Sequence, residues 1–192
     1  MEYIEKHYNK IDLDNWKNHV WWENGKWKKF LPIEEHKREP IFKLYGVPEK
    51  YYMQACKNEY NNYQESKGYH FVEVLEMREL KENGYKWLYE NYKLFENPGP
   101  AFFAGTEIIK QVVGNSKTRS LRDIVSSMTL KPTEPDLFAY KKRGSEGTKY
   151  DMLFIEVKRK YSVTDKQYSG INLIEKYLKI PCRIVRYKEI IK

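Results

Sequence analysis

"PDLFAYKKRGSEGTKYDMLFIEVKRK", Pro135 to Lys160, decides the fold. An acid follows a proline, and a second acid stands two residues before a lysine at the end of an apolar run. Asp151–Lys158 reads as a strong strand, and Leu137–Tyr140 as a short strand before it. "KKRGSEGTK" between them carries two glycines and reads as a hairpin loop. Alternation along a strand puts Phe154, Glu156 and Lys158 on one face and Ile155 and Val157 on the other. If the two strands pair as a hairpin, Asp136 comes close to Glu156. A buried charge is costly unless it is paired or binds a metal. Two neighbouring carboxylates repel, so one takes up a proton unless a cation lies between them.

Mg²⁺ suits such a pair, because it prefers oxygen ligands and commonly uses one or two carboxylates with water and phosphate. The backbone carbonyl of Val157 is a further candidate ligand, and Lys158 could orient a water or stabilise charge developing on phosphate. A plainer alternative makes Glu156 and Lys158 an ion pair on the wet face of an edge strand.

After this stretch, Ser162–Leu178 reads as a helix ended by Lys179–Pro181, and Arg183–Ile191 as a last strand. Gln167, Ile171, Ile174 and Leu178 form one helical stripe. Gln167 therefore prolongs the apolar face toward the sheet, where its amide could reach the site. The alternative is a capping box, Thr164-x-x-Gln167, in which Gln167 turns back to the backbone of Thr164.

Pro135-Asp136 followed by Glu156-Val157-Lys158 after an apolar strand resembles the signature of the PD-(D/E)XK nucleases. More narrowly, "PDLFAY" with "LFIEVKRKYSVTDKQYSGINLIEKYLKIPCRIVRY" is similar to the VRR-NUC branch, and archaeal-type Holliday junction resolvases share that core. The resemblance covers about residues 70–190 and is firm over 134–187. It implies an α/β fold with a restriction-endonuclease-like α-β-β-β-α-β core, a central mixed sheet flanked by helices, and hydrolysis of phosphodiester bonds in DNA with Mg²⁺ or Mn²⁺. Asp136 and Glu156 would be metal ligands, Lys158 the third catalytic residue, and Gln167 a support. An acid from the first core helix often joins such sites, and Glu73 is the best-placed match, with Glu76 second. Branched or flapped DNA is an implied substrate. RNA is not excluded, and a homodimer is among the implied states. About 40 residues inserted before Pro135 depart from the commonest pattern.

The bulk numbers agree with such a reading. The chain has 192 residues, 41% hydrophobic and 32% charged, and a net charge of +8. Residues 137–192 hold 14 basic and 6 acidic residues, while the 21 and 21 before them cancel. The positive excess therefore overlaps the acid-bearing stretch, and a basic domain attracts polyanions. Lys141, Lys142, Arg143, Arg159, Lys160 and Lys166 are the candidate phosphate contacts, and the loop Lys141–Lys149 is expected beside the site. Glu134 reads as a supporting acid or a loop residue. Cys56 and Cys182 lie too far apart to suggest a disulfide framework or zinc spacing. The four histidines, His7, His19, His36 and His70, show no metal-ligand spacing. No apolar run approaches the roughly 20 residues that span a bilayer. With no signal-peptide core at the start, an intracellular, cytoplasmic setting is expected.

Two parts are expected: residues 1–68 as an N-terminal extension and 69–192 as the nuclease-like domain. "NWKNHVWWENGKWKKFL", Asn15–Leu31, carries Asn24-Gly25 and suggests a β-hairpin whose tryptophans either stack bases among lysines or pack onto the core. Pro32–Pro48 reads as a linker and "EKYYMQACKNEYNNYQES" as a helix. His70–Asn83 reads as a helix stopped by Gly84, and Tyr85–Phe95 as a strand. "TEIIKQVV" and "SKTRSLRDIVSSM" read as short helices, the second capped by Ser116 or Thr118. Two rival functions remain open: a nucleic-acid-binding module that keeps the fold without cutting, and an interaction factor that docks a partner through its aromatic N-terminal part.

Overall fold

The computed structural model describes residues 1–17, 71–89, 92–99, 102–144 and 149–191. The expected linker, the expected helix after Pro48, the 68/69 boundary and most of the Trp-rich hairpin lie outside them. Of that hairpin only Asn15–Lys17 are described, and they end a helix.

The described elements run β1 (Glu2–Tyr8), α1 (Lys10–Lys17), α2 (Phe71–Glu82), β2 (Lys86–Tyr89), α3 (Phe103–Val113), α4 (Asn115–Ser126), β3 (Leu137–Lys142), β4 (Tyr150–Lys158), α5 (Asp165–Leu173) and β5 (Cys182–Glu189). The last turn of α5 widens into a π-turn, Ile174–Leu178. The chain is thus α/β, with one mixed five-stranded sheet in the order β1-β5-β4-β3-β2 flanked by helices. The strand pairs β2–β3 and β3–β4 are antiparallel, while β4–β5 and β5–β1 are parallel. Parallel neighbours need a crossover, and α5 supplies the one between β4 and β5.

β4 is the central strand, which explains why its sequence is apolar almost throughout. Its side chains alternate between two cores, and its neighbours keep step. Leu153, Ile155 and Val157 join Leu137, Ala139, Trp87, Tyr89, Val185 and Tyr187 beneath Phe71, Val74, Met77 and Leu80 of α2. Phe154 joins Phe138, Leu88 and Ile184 beneath Ile108 and Val112 of α3, Leu121 of α4, and Ile171, Ile174 and Leu178 of α5. Phe138 and Phe154 are direct cross-strand partners with ring centroids 4.7 Å apart. Such a ring pair contributes about 0.5–1.5 kcal/mol beyond the area it buries.

Local signals end the helices. Gly84 has φ +75° and closes α2: its N–H donates to Lys81 O and that of Tyr85 to Leu80 O, a Schellman closure that satisfies two helix carbonyls. Thr164 caps α5 with both halves of the capping box, so the helix begins at Asp165 rather than Ser162. Lys179 ends it in the left-handed conformation. The expected cap of α4 is corrected. Gly114, at φ +108°, stands at its N-cap position with no side-chain cap, and the Thr118 hydroxyl bonds back to Gly114 O and Asn115 O inside the helix. The expected strand Tyr85–Phe95 shortens to β2, and the chain from Tyr92 turns away as a loop that buries Tyr92, Leu94 and Phe95.

β1 was not anticipated. It lies parallel to β5 at the sheet edge, with Ile4 opposite Val185. Lys6 ties it to α2 through Glu76 and Glu79, both at 2.7 Å. Tyr187 of β5 also donates its hydroxyl to Glu76, at 2.9 Å. Among the described residues, no helix is long and apolar enough to cross a membrane.

Candidate active site

The antiparallel register of β3 and β4 pairs Leu137 with Ile155, so one further step sets Asp136 opposite Glu156. Asp136 stands just before β3, and its Oδ2 accepts the backbone N–H of Val157 at 2.7 Å. The carboxylate thereby takes the place of a ladder partner at the open end of the hairpin. Glu156 is 0% exposed. One of its oxygens, Oε1, receives Gln167 Nε2 at 2.5 Å and also pairs with the Lys158 ammonium. The other, Oε2, is buried and accepts no hydrogen bond from the described residues. Asp136, Glu156, Lys158 and Gln167 thus come together.

Each side chain is placed by its own element. Glu156 and Lys158 share a face of β4 because they are two residues apart. The edge-strand alternative fails on two counts: β4 is central, and Glu156 is fully buried. The sequence leaves two alternatives for Gln167, and the structure shows both contacts at once. Its Oε1 accepts Thr164 N–H at 2.9 Å within the capping box, which leaves its Nε2 free to reach Glu156. The cap fixes the amide, and the fixed amide serves the acid.

The electrostatics follow from burial. Loss of water pushes the Glu156 carboxyl up to about 8, the charge of Asp136 pushes it the same way, and Lys158 limits the rise. For Lys158, burial disfavours the ammonium, but Asp136 and Glu156 outweigh it and raise its pKa. Lys158 is therefore a charged donor at neutral pH.

Glu73 of α2 is close enough for its charge to raise Lys158 further. Among the described residues, however, no three His, Cys, Asp or Glu side chains form a group that could hold a metal ion, so Glu73 does not close a third corner with Asp136 and Glu156. Glu76 is engaged by Lys6 and Tyr187 instead. Glu134 accepts the backbone N–H groups of Leu94 and Phe95, at 3.0 and 3.2 Å. It is a loop-holding residue two positions before Asp136.

The expected basic residues divide. The loop after β3 was expected beside the acids, but the hairpin places it at the other end. Lys142 pairs with Tyr150 there, about six residues or roughly 20 Å along β3 from Asp136. Lys141 donates to Asn83 O at 3.0 Å, and Arg143 pairs with Asp151. Lys160 and Lys166 are exposed and flank the site on the β4–α5 connection and the first turn of α5. Arg159 lies over the Tyr8 ring at 5.8 Å. His7 is exposed on β1, and His19, His36, His70 and Cys56 lie outside the described residues. Cys182 is buried, and burial pushes its thiol up to about 12, so it stays protonated.

Two neighbours of the site escaped sequence reading. Tyr92 donates its hydroxyl to Pro135 O at 2.5 Å, and Arg122 of α4 holds the carbonyls of Lys93 and Leu94 at 2.9 and 3.2 Å. Neither carries a local signal, because each acts over 28 residues or more. Comparison of the chain with protein-family models, with curated proteins and with solved structures finds no match.

Proposed function

We propose that the chain is a divalent-metal-dependent nuclease that hydrolyses DNA phosphodiester bonds, with α2, β2, β3, β4, α5 and β5 forming a restriction-endonuclease-like core. One observation carries the reading: Glu156 is wholly buried beside Asp136, with one oxygen held by Lys158 and Gln167 and the other accepting no hydrogen bond from the described residues. A wholly buried carboxylate beside a half-buried one is a hard oxygen donor set that fits Mg²⁺ or Mn²⁺ completed by water and phosphate. The group fits these residues. Asp136 and Glu156 would hold it, with the Val157 carbonyl a candidate third donor. When bound, the ion would supply a polarised water and neutralise charge on the phosphate.

The chain's own residues do the rest. Lys158, kept charged by the two acids, donates hydrogen bonds toward the oxygens of an incoming phosphate and stabilises charge that grows as the bond breaks. Gln167 holds Glu156 in one orientation from a capped helix end. The Val157 N–H holds Asp136. Lys160 and Lys166, both exposed nearby, offer contacts to the sugar-phosphate backbone without regard to sequence.

Purified protein incubated with Mg²⁺ or Mn²⁺ and labelled branched, single-stranded and duplex DNA tests the reading. Cleavage is expected, and Asp136→Ala or Glu156→Ala should lower it at least about 100-fold, as loss of central catalytic electrostatics does elsewhere. Cleavage that survives both substitutions sinks the site assignment. Calorimetric titration separates a cutting enzyme from a binding module: the module has no reason to bind Mn²⁺ in a way that Asp136→Asn abolishes.

A further inference from the structure

The inserted residues before Pro135 lie outside the acid cluster. They form α3 and α4, and their polar groups converge on one short segment, Lys93–Phe95. Thr106 of α3 accepts the Lys93 N–H at 2.9 Å and lies 3.3 Å from its carbonyl. Arg122 of α4 donates to the carbonyls of Lys93 and Leu94. The segment, so fixed, presents the N–H groups of Leu94 and Phe95 to Glu134, and the neighbouring Tyr92 hydroxyl to Pro135 O. The next residue along is Asp136.

The same loop is seated from the opposite side. Thr133 N–H donates to Lys166 O at 3.2 Å. Gly170 of α5 lies so close that a Cβ there would meet Thr133 O at 2.2 Å. Residues 133–135 are therefore gripped between α5 and the insertion, and the grip ends where Asp136 Oδ2 meets the Val157 N–H. Tyr92 is buried, and burial with the nearby acids raises its pKa, so its hydroxyl keeps its proton and acts as a donor.

We propose that the α3–α4 insertion is a clamp that sets the position of Asp136, with Tyr92 and Glu134 as its two positioning residues. The clamp explains why an unusually long connection is kept beside the acids. Asp136 stands one residue before the ladders that β3 makes with β2 and β4, so contacts from outside the strand must set it, and a ligand carboxylate must be held to a fraction of an ångström. The inference rests on the nuclease reading only for its second readout below.

The first readout is the hydrogen exchange of the Val157 amide, which reports the Asp136 carboxylate directly and needs neither metal nor activity. Tyr92→Phe, which loses one buried hydrogen bond, and Glu134→Ala, which loses two part-buried ones, should each speed it about ten-fold. The amides of Ile184 and Val185 should stay as in the parent. Glu134→Gln keeps an oxygen for Leu94 and Phe95 and should restore slow exchange. The second readout is Mn²⁺ affinity by calorimetry, expected to fall about ten-fold in Tyr92→Phe and Glu134→Ala and to recover in Glu134→Gln. Unchanged Val157 exchange in both variants overturns the clamp. Faster exchange spread equally over Ile184, Val185 and Val157 also overturns it, because that pattern is loss of global stability alone. If Val157 responds as expected while the parent protein binds no Mn²⁺, the clamp stands and the metal reading of the site falls.

Discussion

Glu156 should make the protein less stable as the pH rises, and the size of the effect can be worked out. Its carboxyl titrates near 4.5 in the open and is pushed up to about 8 in the fold, first by burial and then by Asp136. Between those values the native state holds a proton that the unfolded state has lost. Stability therefore falls as the pH climbs from about 4.5 to about 8, and levels off above that. A difference of some 3.5 pH units corresponds to about 5 kcal/mol at the upper limit. For a chain of this size that means a melting temperature lower by about 10–20 °C at pH 8.5 than the same fold without the charge. Glu156→Gln removes the titration and keeps the shape, and its amide oxygen can still accept from Gln167 and Lys158. Thermal melts of both proteins across pH 5 to 9 should show near-equal stability at pH 5 and a growing advantage for Glu156→Gln toward pH 8.5. Asp136→Asn removes the second cause and should shrink the slope of the parent. Millimolar Mn²⁺ at pH 8 should raise the parent's melting temperature and leave that of Glu156→Gln in place, because only a ligand that binds the native state stabilises it. A constant difference between parent and Glu156→Gln from pH 5 to 9 would refute the reasoning, as it would mean that Glu156 is as easily charged in the fold as outside it.

Three further outcomes are expected. Gly170→Ala should cost about 1–3 kcal/mol in urea denaturation, because the new Cβ meets the Thr133 backbone carbonyl and the Phe95 ring, whereas Gly99→Ala, which meets none of the described residues within 4 Å, should be close to neutral. Equal small effects at both positions would show that the loop yields freely to α5. Gln167→Glu keeps the capping acceptor for Thr164 but turns the donor facing Glu156 into an acid, so it should preserve helix content by circular dichroism and steepen the loss of stability above neutral pH. Thr164→Ala should do the reverse, losing about 1 kcal/mol with the pH profile unaltered. Lys6→Met should cost about 1–3 kcal/mol by urea titration, since the buried Glu76 is left with the Tyr187 hydroxyl as its remaining hydrogen-bond donor among those described above; a neutral result would mean that β1 is held by its ladder to β5 alone.

The site was legible where its residues obey a local period, and illegible where they obey a tertiary one. Alternation alone put Glu156 and Lys158 on one face, the hairpin put Asp136 opposite Glu156, and a 3.6-residue stripe aimed Gln167 at them. The same hairpin logic, carried one step further, would have moved Lys141–Arg143 away from the acids, since an antiparallel pair has its loop at one end and its open termini at the other. β1 was hidden by chemistry. Its inward positions are Ile4, Lys6 and Tyr8, and a lysine at the middle of three breaks the apolar alternation that announces a strand. That lysine faces inward because Glu76 and Glu79 stand on α2 to receive it, 70 and 73 positions away in the chain, a fact no window of sequence contains. The clamp on Asp136 is the same case in a stronger form. Tyr92 and Pro135 are 43 residues apart, and Arg122 reaches back 28 to hold Leu94. Motif residues declare themselves because chemistry restricts their type. The residues that hold them still can be almost any donor or acceptor in the right place, so they become visible only when the chain has folded.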